Sequence, residues 1–276
     1  MAAGKLEGKV ALVTGGGRGI GRSVCLQLAA HGARVAINDL DREPADDVAR
    51  TIAESGGEAL VVPGSVTGPE FSETFVARAI ERFGDVHILV NNAGFVWNGP
   101  AHRITDEQWD AMQDVHVKAP FRISRAFFTA VASRAKDEIA AGRGVQRKIV
   151  NVSSVAATGG TAGQAAYSAA KSGLFGLTRS LAKEWGRLRI NVNCVAFGYI
   201  ETRLTQEIAG ETAVTIDGKR HRVGLTPEMI AMLRDRIALG RAGTPDEAAG
   251  GAVLLCLPES DYITGQVLRI DGGLEN

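Results

Sequence analysis

The sequence predicts an α/β fold in which one doubly wound parallel sheet of about seven strands carries helices on both faces. Short, β-branched apolar runs typical of buried parallel strands alternate with longer stretches of helical period. Many of the 34 glycines stand at the corners between the two. No proline- or serine-rich linker divides the 276 residues, and a chain of this length can bury one sizeable core. We therefore expect a single domain over residues 1–276.

The individual elements follow from these two periods. Apolar runs predict strands at residues 10–13, 35–37, 60–62, 86–90, 149–152, 190–195 and 267–270. Helical period predicts helices that include residues 19–31, 44–55, 69–83 and 165–185. Helix N-caps are expected near Asp41 and Thr67, and C-caps near Gly32, Gly56 and Gly84. Repeated strand–helix–strand units favour right-handed crossovers into one sheet.

Two stretches depart from this alternation. Residues 133–148 are polar and then glycine-rich, which predicts the end of a helix followed by an exposed loop. Residues 212–223 alternate around Asp217-Gly218, a dipeptide suited to a type I′ turn, and predict a small β-hairpin. The hairpin falls in an excursion at about 203–238, between the sixth and seventh strands, which we expect to cover the substrate.

Composition excludes several function classes. The 31 Lys and Arg residues balance 31 Asp and Glu residues, and this zero net charge argues against nucleic-acid binding. The basic run Lys219–Arg222 is typical of a solvated strand; if functional, it would suit the phosphates of coenzyme A or an acidic carrier protein. No apolar run approaches the roughly 20 residues of a membrane span. Three scattered cysteines and five histidines predict neither a disulfide framework nor a metal site, and the cytoplasm is the expected location.

The segment TGGGRGIG, residues 14–21, follows the first strand and opens the first helix. Such glycines let the backbone turn sharply and let a pyrophosphate approach the helix N-terminus, whose free N–H groups favour anions. Alone, the cluster could be a tight turn. Asp39, at the end of the second strand, can accept hydrogen bonds from adenosine ribose hydroxyls, although it could also cap a helix. The pattern predicts a dinucleotide site that includes Gly15, Gly17, Arg18, Gly19, Ile20 and Gly21.

Asp39 and Arg18 favour different cofactors. The Asp39 carboxylate would face the 2′-phosphate of NADP(H), and like charges about 4 Å apart repel by about 4 kcal/mol at an effective dielectric of 20. Arg18 could offset part of that repulsion by contacting the same phosphate. An arginine on an exposed loop relaxes easily, whereas an acid at a strand end is held in place. We therefore predict NAD(H) as the preferred cofactor, with NADP(H) as the alternative.

Tyr167 and Lys171 form a Tyr-x-x-x-Lys pattern that places both on one face of a predicted helix, one turn apart. We expect the Lys171 ammonium to lower the pKa of the tyrosine from its usual value of about 10. Ser154, just past a strand, can hydrogen-bond the same substrate oxygen. Tyr167 would supply a proton and Ser154 would orient a carbonyl while hydride arrives from the nicotinamide. By itself, the pattern is more often a solvated helix face.

With these motifs the chain resembles the short-chain dehydrogenase/reductase family over essentially its whole length. The matching segments are TGGGRGIG (14–21), NNAG (91–94), NVSS (151–154), YSAAK (167–171) and ITGQVLRIDGG (263–273). The resemblance implies a Rossmann-type fold, a nicotinamide cofactor and the reversible oxidation of an alcohol to a ketone. Among subgroups, the chain is most similar to bacterial 3-oxoacyl-thioester (acyl carrier protein) reductases and 3-hydroxyacyl dehydrogenases.

The resemblance also implies roles for single residues. The catalytic group would be Ser154, Tyr167 and Lys171, with Lys171 also holding the nicotinamide ribose. The adenosine side would be lined by Asn92, Ala93 and Gly94 and, after the third strand, by Ser65 and Val66. Here Ser65 stands where the family usually has an acid. The carboxamide would be contacted by Ile200 and Thr202.

Two further departures affect the expected site. His116 stands where the family carries an asparagine that holds a water in a proton relay. An imidazole could also bridge water, and its charge changes near neutral pH, which would make the relay pH-dependent; otherwise His116 is simply a packed helix residue. Phe197-Gly198 replaces the usual Pro-Gly after the sixth strand, and we expect this phenylalanine near the nicotinamide pocket.

The expected partners are a small carbonyl or alcohol substrate and further copies of this chain. Family members are commonly homotetramers that pack the helices around residues 119–134 and 165–185, which are rich in small and apolar residues here. The alternative to an enzyme is a non-catalytic protein of the same fold that binds or senses NAD(P), and the departure at His116 keeps it open.

Overall fold

The structure, a computed structural model, describes residues 4–202, 213–216, 219–222 and 227–274. Within these residues, seven strands form one parallel sheet in the order β3-β2-β1-β4-β5-β6-β9. The strands are β1 (Val10–Val13), β2 (Arg34–Ile37), β3 (Ala59–Val61), β4 (Ile88–Asn91), β5 (Arg147–Ser154), β6 (Ile190–Phe197) and β9 (Val267–Ile270). The predicted doubly wound parallel sheet is confirmed.

Helices connect these strands and cover both faces of the sheet. They are α1 (Gly19–Ala30), α2 (Arg42–Glu54), α3 (Phe71–Phe83), α4 (Asp106–Gln113), α5 (Ala119–Ala140), α6 (Ala156–Gly159), α7 (Ala165–Trp185), α8 (Pro227–Asp235) and α9 (Pro245–Leu254). Successive strand residues alternate between the faces, as the pleat requires. On β1, Ala11 and Val13 join the core of α1, α2 and α9, whereas Val10 and Leu12 join that of α3, α5 and α7. In the described residues, no helix is long and apolar enough to cross a membrane.

The predicted hairpin is present as two paired strands, β7 (Ala213–Ile216) and β8 (Lys219–Arg222). They run antiparallel, with Ala213 opposite Arg222 and Ile216 opposite Lys219. The turn predicted at Asp217-Gly218 lies outside the described residues, as do residues 203–212 and 223–226 of the expected substrate-covering excursion.

The strand order places the site. β1 lies between β2 and β4, so the chain leaves the middle of the sheet in one direction and later returns to build it in the other. The loops after β1 and β4 therefore diverge, and in open parallel sheets ligands bind in the crevice at this point, outside the carboxyl ends of the strands. The glycine-rich and NNAG segments are these two loops.

The helix ends follow the prediction in part. Gly84 ends α3 in the left-handed region, with φ of 87°, as expected of a C-cap. Asp41 occupies the N-cap position of α2, but its side chain makes no capping hydrogen bond. The cap expected near Thr67 is wrong, because α3 starts later, after Glu70. The Thr67 hydroxyl instead bonds that of Ser65 at 2.8 Å.

The prediction of an exposed loop up to residue 148 is also wrong for its last two residues. Helix α5 stops at Ala140 and strand β5 already starts at Arg147, whose side chain is fully buried. The Arg147 guanidinium lies 2.7 Å and 3.1 Å from the two Glu138 carboxylate oxygens and 3.1 Å from Asp85. It also donates to the Val86 carbonyl. The buried charge is therefore paired. Arg147 lies at the amino end of β5, at the opposite end of the strands from the glycine-rich loop.

Replacing Arg147 by methionine should lower the free energy of unfolding by about 3 kcal/mol, because two largely buried carboxylates would lose their partner. Arg134→Met is the matched control. Arg134 lies 3.0 Å from the same Asp85 but is half exposed, so its loss should cost less than about 1 kcal/mol. Urea unfolding at pH 7 and a fixed protein concentration measures both. Equal losses in the two variants would contradict this role for Arg147.

Candidate active site

The glycine-rich loop leaves the first turn of α1 open to an anion. Arg18 holds the N-cap position with extended backbone, and in the described residues no side chain caps this helix and no acid stands in its first turn. The first N–H groups of an uncapped helix attract negative charge. Backbone bonds fix the loop against β2, since Gly16 N–H donates to the Asn38 carbonyl at 2.7 Å and Gly17 N–H to Asp39 Oδ2 at 2.9 Å.

Two glycines are required where the loop meets its neighbours. Gly15 has φ of +62°, and a Cβ there would lie 2.9 Å from the Ala93 Cα atom. At Gly21 a Cβ would come within 2.0 Å of the Gly15 carbonyl oxygen. Gly19 has φ of +50° and a more open setting, where the nearest side chain is Thr202, with Cγ2 3.7 Å from an added Cβ. Thr202 thus lies beside the start of α1, and its contact with the carboxamide stays a prediction.

The Thr14 hydroxyl joins the two loops at the carboxyl ends of β1 and β4. Thr14 Oγ1 accepts hydrogen bonds from the backbone N–H groups of Asn92 and Ala93, both at 3.0 Å. In return, the Asn92 side-chain amide donates to the carbonyls of Thr14 and Gly15, both at 3.0 Å. Asn92 therefore braces the glycine-rich loop. Thr14 was not among the predicted site residues; its position at a strand end, just before the first glycine, was the available signal.

The acid at the end of β2 is held in place by backbone groups. Asp39 Oδ2 accepts from Gly17 N–H, and Oδ1 accepts from Asp41 N–H at 3.3 Å. The Arg18 guanidinium forms a partly exposed ion pair, 2.7 Å from Asp41 Oδ2. The sequence did not predict this ion pair.

The remaining predicted cofactor residues divide into accessible and buried ones. Ser65 and Ile20 are partly exposed, while the Val66 and Ile200 side chains are buried in the core. The backbone of Ile200 also pairs with Gly243 in a β-bridge. An uncapped helix, a close-packed glycine loop and a fixed carboxylate at the end of β2 fit a dinucleotide cofactor. The described residues contain no group of three or more His, Cys, Asp or Glu side chains able to hold a metal.

The structure brings Ser154, Tyr167 and Lys171 together at the carboxyl edge of the sheet, the edge that also holds the glycine-rich loop. Ser154 ends β5, and its hydroxyl is close enough to Tyr167 to lower the pKa of the phenol slightly by hydrogen bonding. Tyr167 and Lys171 lie on one face of α7, with Lys171 Nζ 5.7 Å from the centre of the tyrosine ring. The Lys171 ammonium donates to the Val152 carbonyl at 2.7 Å. The three side chains that the Tyr-x-x-x-Lys pattern and the preceding strand predicted are thus neighbours.

Burial shifts the pKa values of Tyr167 and Lys171 in directions that the sequence did not predict. Burial raises the pKa of Tyr167 to about 12, and the hydrogen bond with Ser154 only partly opposes that rise. The expected net lowering of this pKa is wrong, because the loss of solvent outweighs any attraction between the phenolate and the Lys171 ammonium. Burial likewise lowers the pKa of Lys171 to about 8. At neutral pH, Tyr167 is therefore a phenol with its proton in place.

His116 lies in a wider π-helical turn, Asp114–Lys118, inserted between α4 and α5. Such turns are frequent at functional sites because they redirect single side chains. The imidazole is buried, its Nε2–H donates to the Phe95 carbonyl at 2.7 Å, and its ring meets that of Tyr167 edge-on with centres 5.2 Å apart. A carbonyl only accepts hydrogen bonds, so Nδ1 is an acceptor, and it has no partner in the described residues.

The expected charge change of His116 near neutral pH is wrong. Burial, reinforced by the nearby Lys171 ammonium, lowers the pKa of His116 well below its usual value. The imidazole of the folded protein is therefore neutral at neutral pH. Gly94 makes room for it, because a Cβ at Gly94 would lie 2.3 Å from His116 Cε1.

Phe197 does not approach this pocket as predicted. Its side chain is buried in the core formed with α1 and α9, on the opposite face of the sheet from α7. The aromatic wall of the site comes instead from the loop after β4. There the centre of the Phe95 ring lies 6.3 Å from the ring centres of both Trp97 and His116. That loop is anchored to the segment before α7 by a Gly99 N–H bond to the Gly163 carbonyl at 2.8 Å.

Comparison with known proteins identifies this arrangement. The family model described as "Enoyl-(Acyl carrier protein) reductase" matches residues 15–275. The chain belongs to the short-chain dehydrogenase/reductase family. It is 35% identical over 270 residues to a 3-oxoacyl-[acyl-carrier-protein] reductase of Vibrio cholerae, covering 98% of each chain. It is 34% identical over 273 residues to the corresponding Thermotoga maritima reductase, covering 98% of this chain and 99% of that one.

A solved structure agrees with this membership. It is a crystal structure of a putative short-chain alcohol dehydrogenase from Sinorhizobium meliloti, with a TM-score of 0.84 and 31% identity. The match covers 97% of this chain and 96% of that one. The protein is therefore an oxidoreductase that uses a nicotinamide cofactor, and the comparisons support an enzyme of this family rather than a non-catalytic sensor.

Gly94→Ala should lower the free energy of unfolding by about 1–3 kcal/mol, because the new methyl group would overlap the His116 ring. Gly250→Ala on α9 is the control, since its nearest neighbour outside the helix is Gln27 Oε1 at 3.8 Å. Adding His116→Ser to Gly94→Ala should restore part of the loss. Urea unfolding measures all three. A Gly94→Ala protein as stable as the control would show that the two residues are not in contact.

Proposed function

We propose that this oxidoreductase reduces the ketone of a 3-oxoacyl thioester to a secondary alcohol. The observation that carries the proposal is the group of Ser154, Tyr167 and Lys171 at the carboxyl edge of the sheet, which also holds the glycine-rich loop, with Lys171 Nζ 5.7 Å from the centre of the Tyr167 ring. The relatives from Vibrio cholerae and Thermotoga maritima support the choice of an acyl thioester, since their names state that substrate class.

In the proposed reaction, Ser154 donates a hydrogen bond to the carbonyl oxygen and holds it beside Tyr167. A bound nicotinamide supplies the hydride. Tyr167 then transfers its proton to the same oxygen, and the phenolate that remains is stabilised by the Lys171 ammonium 5.7 Å from the ring centre. Lys171 would also hold the nicotinamide ribose. A tyrosine whose pKa is about 12 keeps its proton at neutral pH, which is the form that the reduction step requires.

We assign His116 a positioning role in this reaction. Its Nε2–H holds the Phe95 carbonyl, and its ring supports the edge of Tyr167, so it connects the loop after β4 to the proton donor. The unpartnered Nδ1 would accept a hydrogen bond from a water, which keeps the predicted relay in a form that does not depend on the charge of His116.

NAD(H) is the proposed cofactor. Two backbone N–H groups hold the Asp39 carboxylate in place, so the side chain cannot turn away from a 2′-phosphate without losing both bonds. Gly15, Gly17, Gly19, Gly21, Asn92 and Ala93 would shape the binding surface, with Ser65 and Val66 on the adenine side and the Ile200 backbone and Thr202 on the nicotinamide side. The excursion at 203–238 remains the proposed cover over the substrate.

We also propose a homotetramer. Several exposed positions of α7 carry small side chains, which would let a second copy of the helix approach closely: Ala165, Ala169, Gly173, Gly176 and Ser180. Arg179, Lys183 and Glu184 are also exposed, towards the end of this helix. On α5, the neighbouring Phe121 is 40% exposed, a large apolar side chain suited to an interface. Light scattering should give the mass of four chains at working concentration, and a monomer would refute the assembly. Three free, buried cysteines fit the proposed cytoplasmic location.

Tyr167→Phe tests the proposed proton donor. We expect kcat for reduction of a short 3-oxoacyl thioester to fall at least about 100-fold, the scale of a lost general acid, while NADH affinity stays the same. Tyr262→Phe removes the same hydroxyl from a fully exposed ring and should leave both unchanged. Initial-rate assays and NADH titrations measure these quantities. Equal rates for wild type and Tyr167→Phe would exclude Tyr167 as the donor.

The pH profile separates Lys171 from His116. Below pH of about 8 Lys171 is charged and Tyr167 is protonated, so kcat/KM for reduction should stay level there and fall as pH rises further and Lys171 loses its proton. His116→Asn should keep the level region, since the imidazole is already neutral. A wild-type profile that changes between about pH 6 and 7 and flattens in His116→Asn would contradict this assignment.

A further inference from the structure

Asp41 occupies a helix cap but does not act as one. It holds the N-cap position of α2, where an aspartate usually accepts a hydrogen bond from the first turn. Its side chain makes no such bond and turns instead to Arg18 at the N-cap of α1, with Oδ2 2.7 Å from the guanidinium. The carboxylate thus bridges the starts of two helices rather than completing its own.

The bridge lies next to the carboxylate that selects the cofactor. Asp39 Oδ1 accepts from the Asp41 N–H, and Asp39 Oδ2 accepts from the Gly17 N–H, so the two acids and the glycine-rich loop form one connected unit. The loop is pressed against it, since a Cβ at Gly17 would lie 2.8 Å from Asp39 Oδ2 and 3.0 Å from Pro44 Cβ.

The charges around this unit disfavour a phosphate. A cleft here is lined by Gly17, Arg18, Arg22, Glu43, Pro44 and Asp47. Its two arginines face two acids, and Asp39 and Asp41 add two more negative charges on residues that contact its lining. Arg18 is the cation at the glycine loop that could receive a 2′-phosphate, and Asp41 already neutralises it.

We propose that Asp41 is a second determinant of the preference for NAD(H), acting by holding Arg18 in an ion pair so that the arginine does not receive the 2′-phosphate of NADP(H). This inference rests on the proposed function, which places the adenosine ribose at Asp39. Asp39 repels the phosphate directly, whereas Asp41 withdraws the group that would compensate for that repulsion. Because the pair is partly exposed, with 43% and 59% of the two side chains accessible, its effect is a modest one.

The test measures nucleotide binding, without any substrate. Calorimetry on the full chain compares adenosine 2′,5′-bisphosphate with 5′-AMP, and the wild type should favour 5′-AMP. Asp41→Asn keeps the shape and the capping ability of the residue but frees Arg18. It should raise the affinity for the bisphosphate relative to 5′-AMP by about two- to fivefold, the scale of an exposed ion pair. The NADPH-to-NADH ratio of kcat/KM should move in the same direction.

Two further variants separate the ion pair from bulk charge. Asp46→Asn removes an acid from the same helix that pairs with Arg42 at 3.7 Å, and it should leave the ratio unchanged. In the double variant Arg18→Ala/Asp41→Asn the gain should disappear. An equal gain in Asp46→Asn, no gain in Asp41→Asn, or a gain that survives the loss of Arg18 would each overturn the proposal. If the wild type bound neither nucleotide, the proposed cofactor site itself would be wrong, and this inference with it.

Discussion

The Thr14 hydroxyl is the contact on which the geometry of the site depends. It is buried at the point where the sheet reverses direction, and it accepts the N–H groups that begin the loop after β4. Without it, the loops after β1 and β4 would diverge with unpaired backbone groups between them, a costly arrangement in a buried place. With it, Gly15 and Gly21 can approach their neighbours closely, and the open end of α1 is directed into the crevice. The Asp39 and Ser154 sides of the site are then fixed relative to one another by the strand order alone.

The two edges of the sheet manage charge in opposite ways. At the amino edge, the fully buried Arg147 is surrounded by carboxylates and a carbonyl, so that its charge is compensated locally. At the carboxyl edge, burial acts on Tyr167, Lys171 and His116 without comparable compensation, and it shifts each pKa toward the neutral form of the side chain. The same physical effect, desolvation, thus leaves the tyrosine with a proton to give and the histidine without a charge to disturb it. The stabilising ion pairs of Arg147 and the proposed catalytic side chains therefore lie at opposite ends of the strands.

Local patterns in the sequence were sufficient for the sheet, most helices and the proximity of Ser154, Tyr167 and Lys171, because strand and helix periods and the Tyr-x-x-x-Lys spacing are encoded within a few residues. What they could not supply depends on partners distant in the chain. The burial of Arg147 depends on Asp85, which lies 62 residues away, and on Val86 beside it, as well as on the nearer Glu138. The face of the sheet on which Phe197 lies depends on strand register, where a shift of one residue reverses the side. The pKa directions at Tyr167 and His116 depend on burial, and the pairing of Arg18 with Asp41 depends on how two helices start side by side.

The π-helical turn at Asp114–Lys118 has a consequence for how this region can vary. A helix turns by about 100° for each residue, so a turn that takes up one extra residue resets the direction of everything beyond it. On its near side lies α4, fixed by the capping bonds of Thr105, and on its far side lies α5, whose last turns hold Glu138 against Arg147. Side chains along this stretch can be exchanged while their spacing is kept. A single-residue insertion or deletion would instead rotate His116 away from Tyr167 or Glu138 away from Arg147, so the segment is constrained in length far more than in composition.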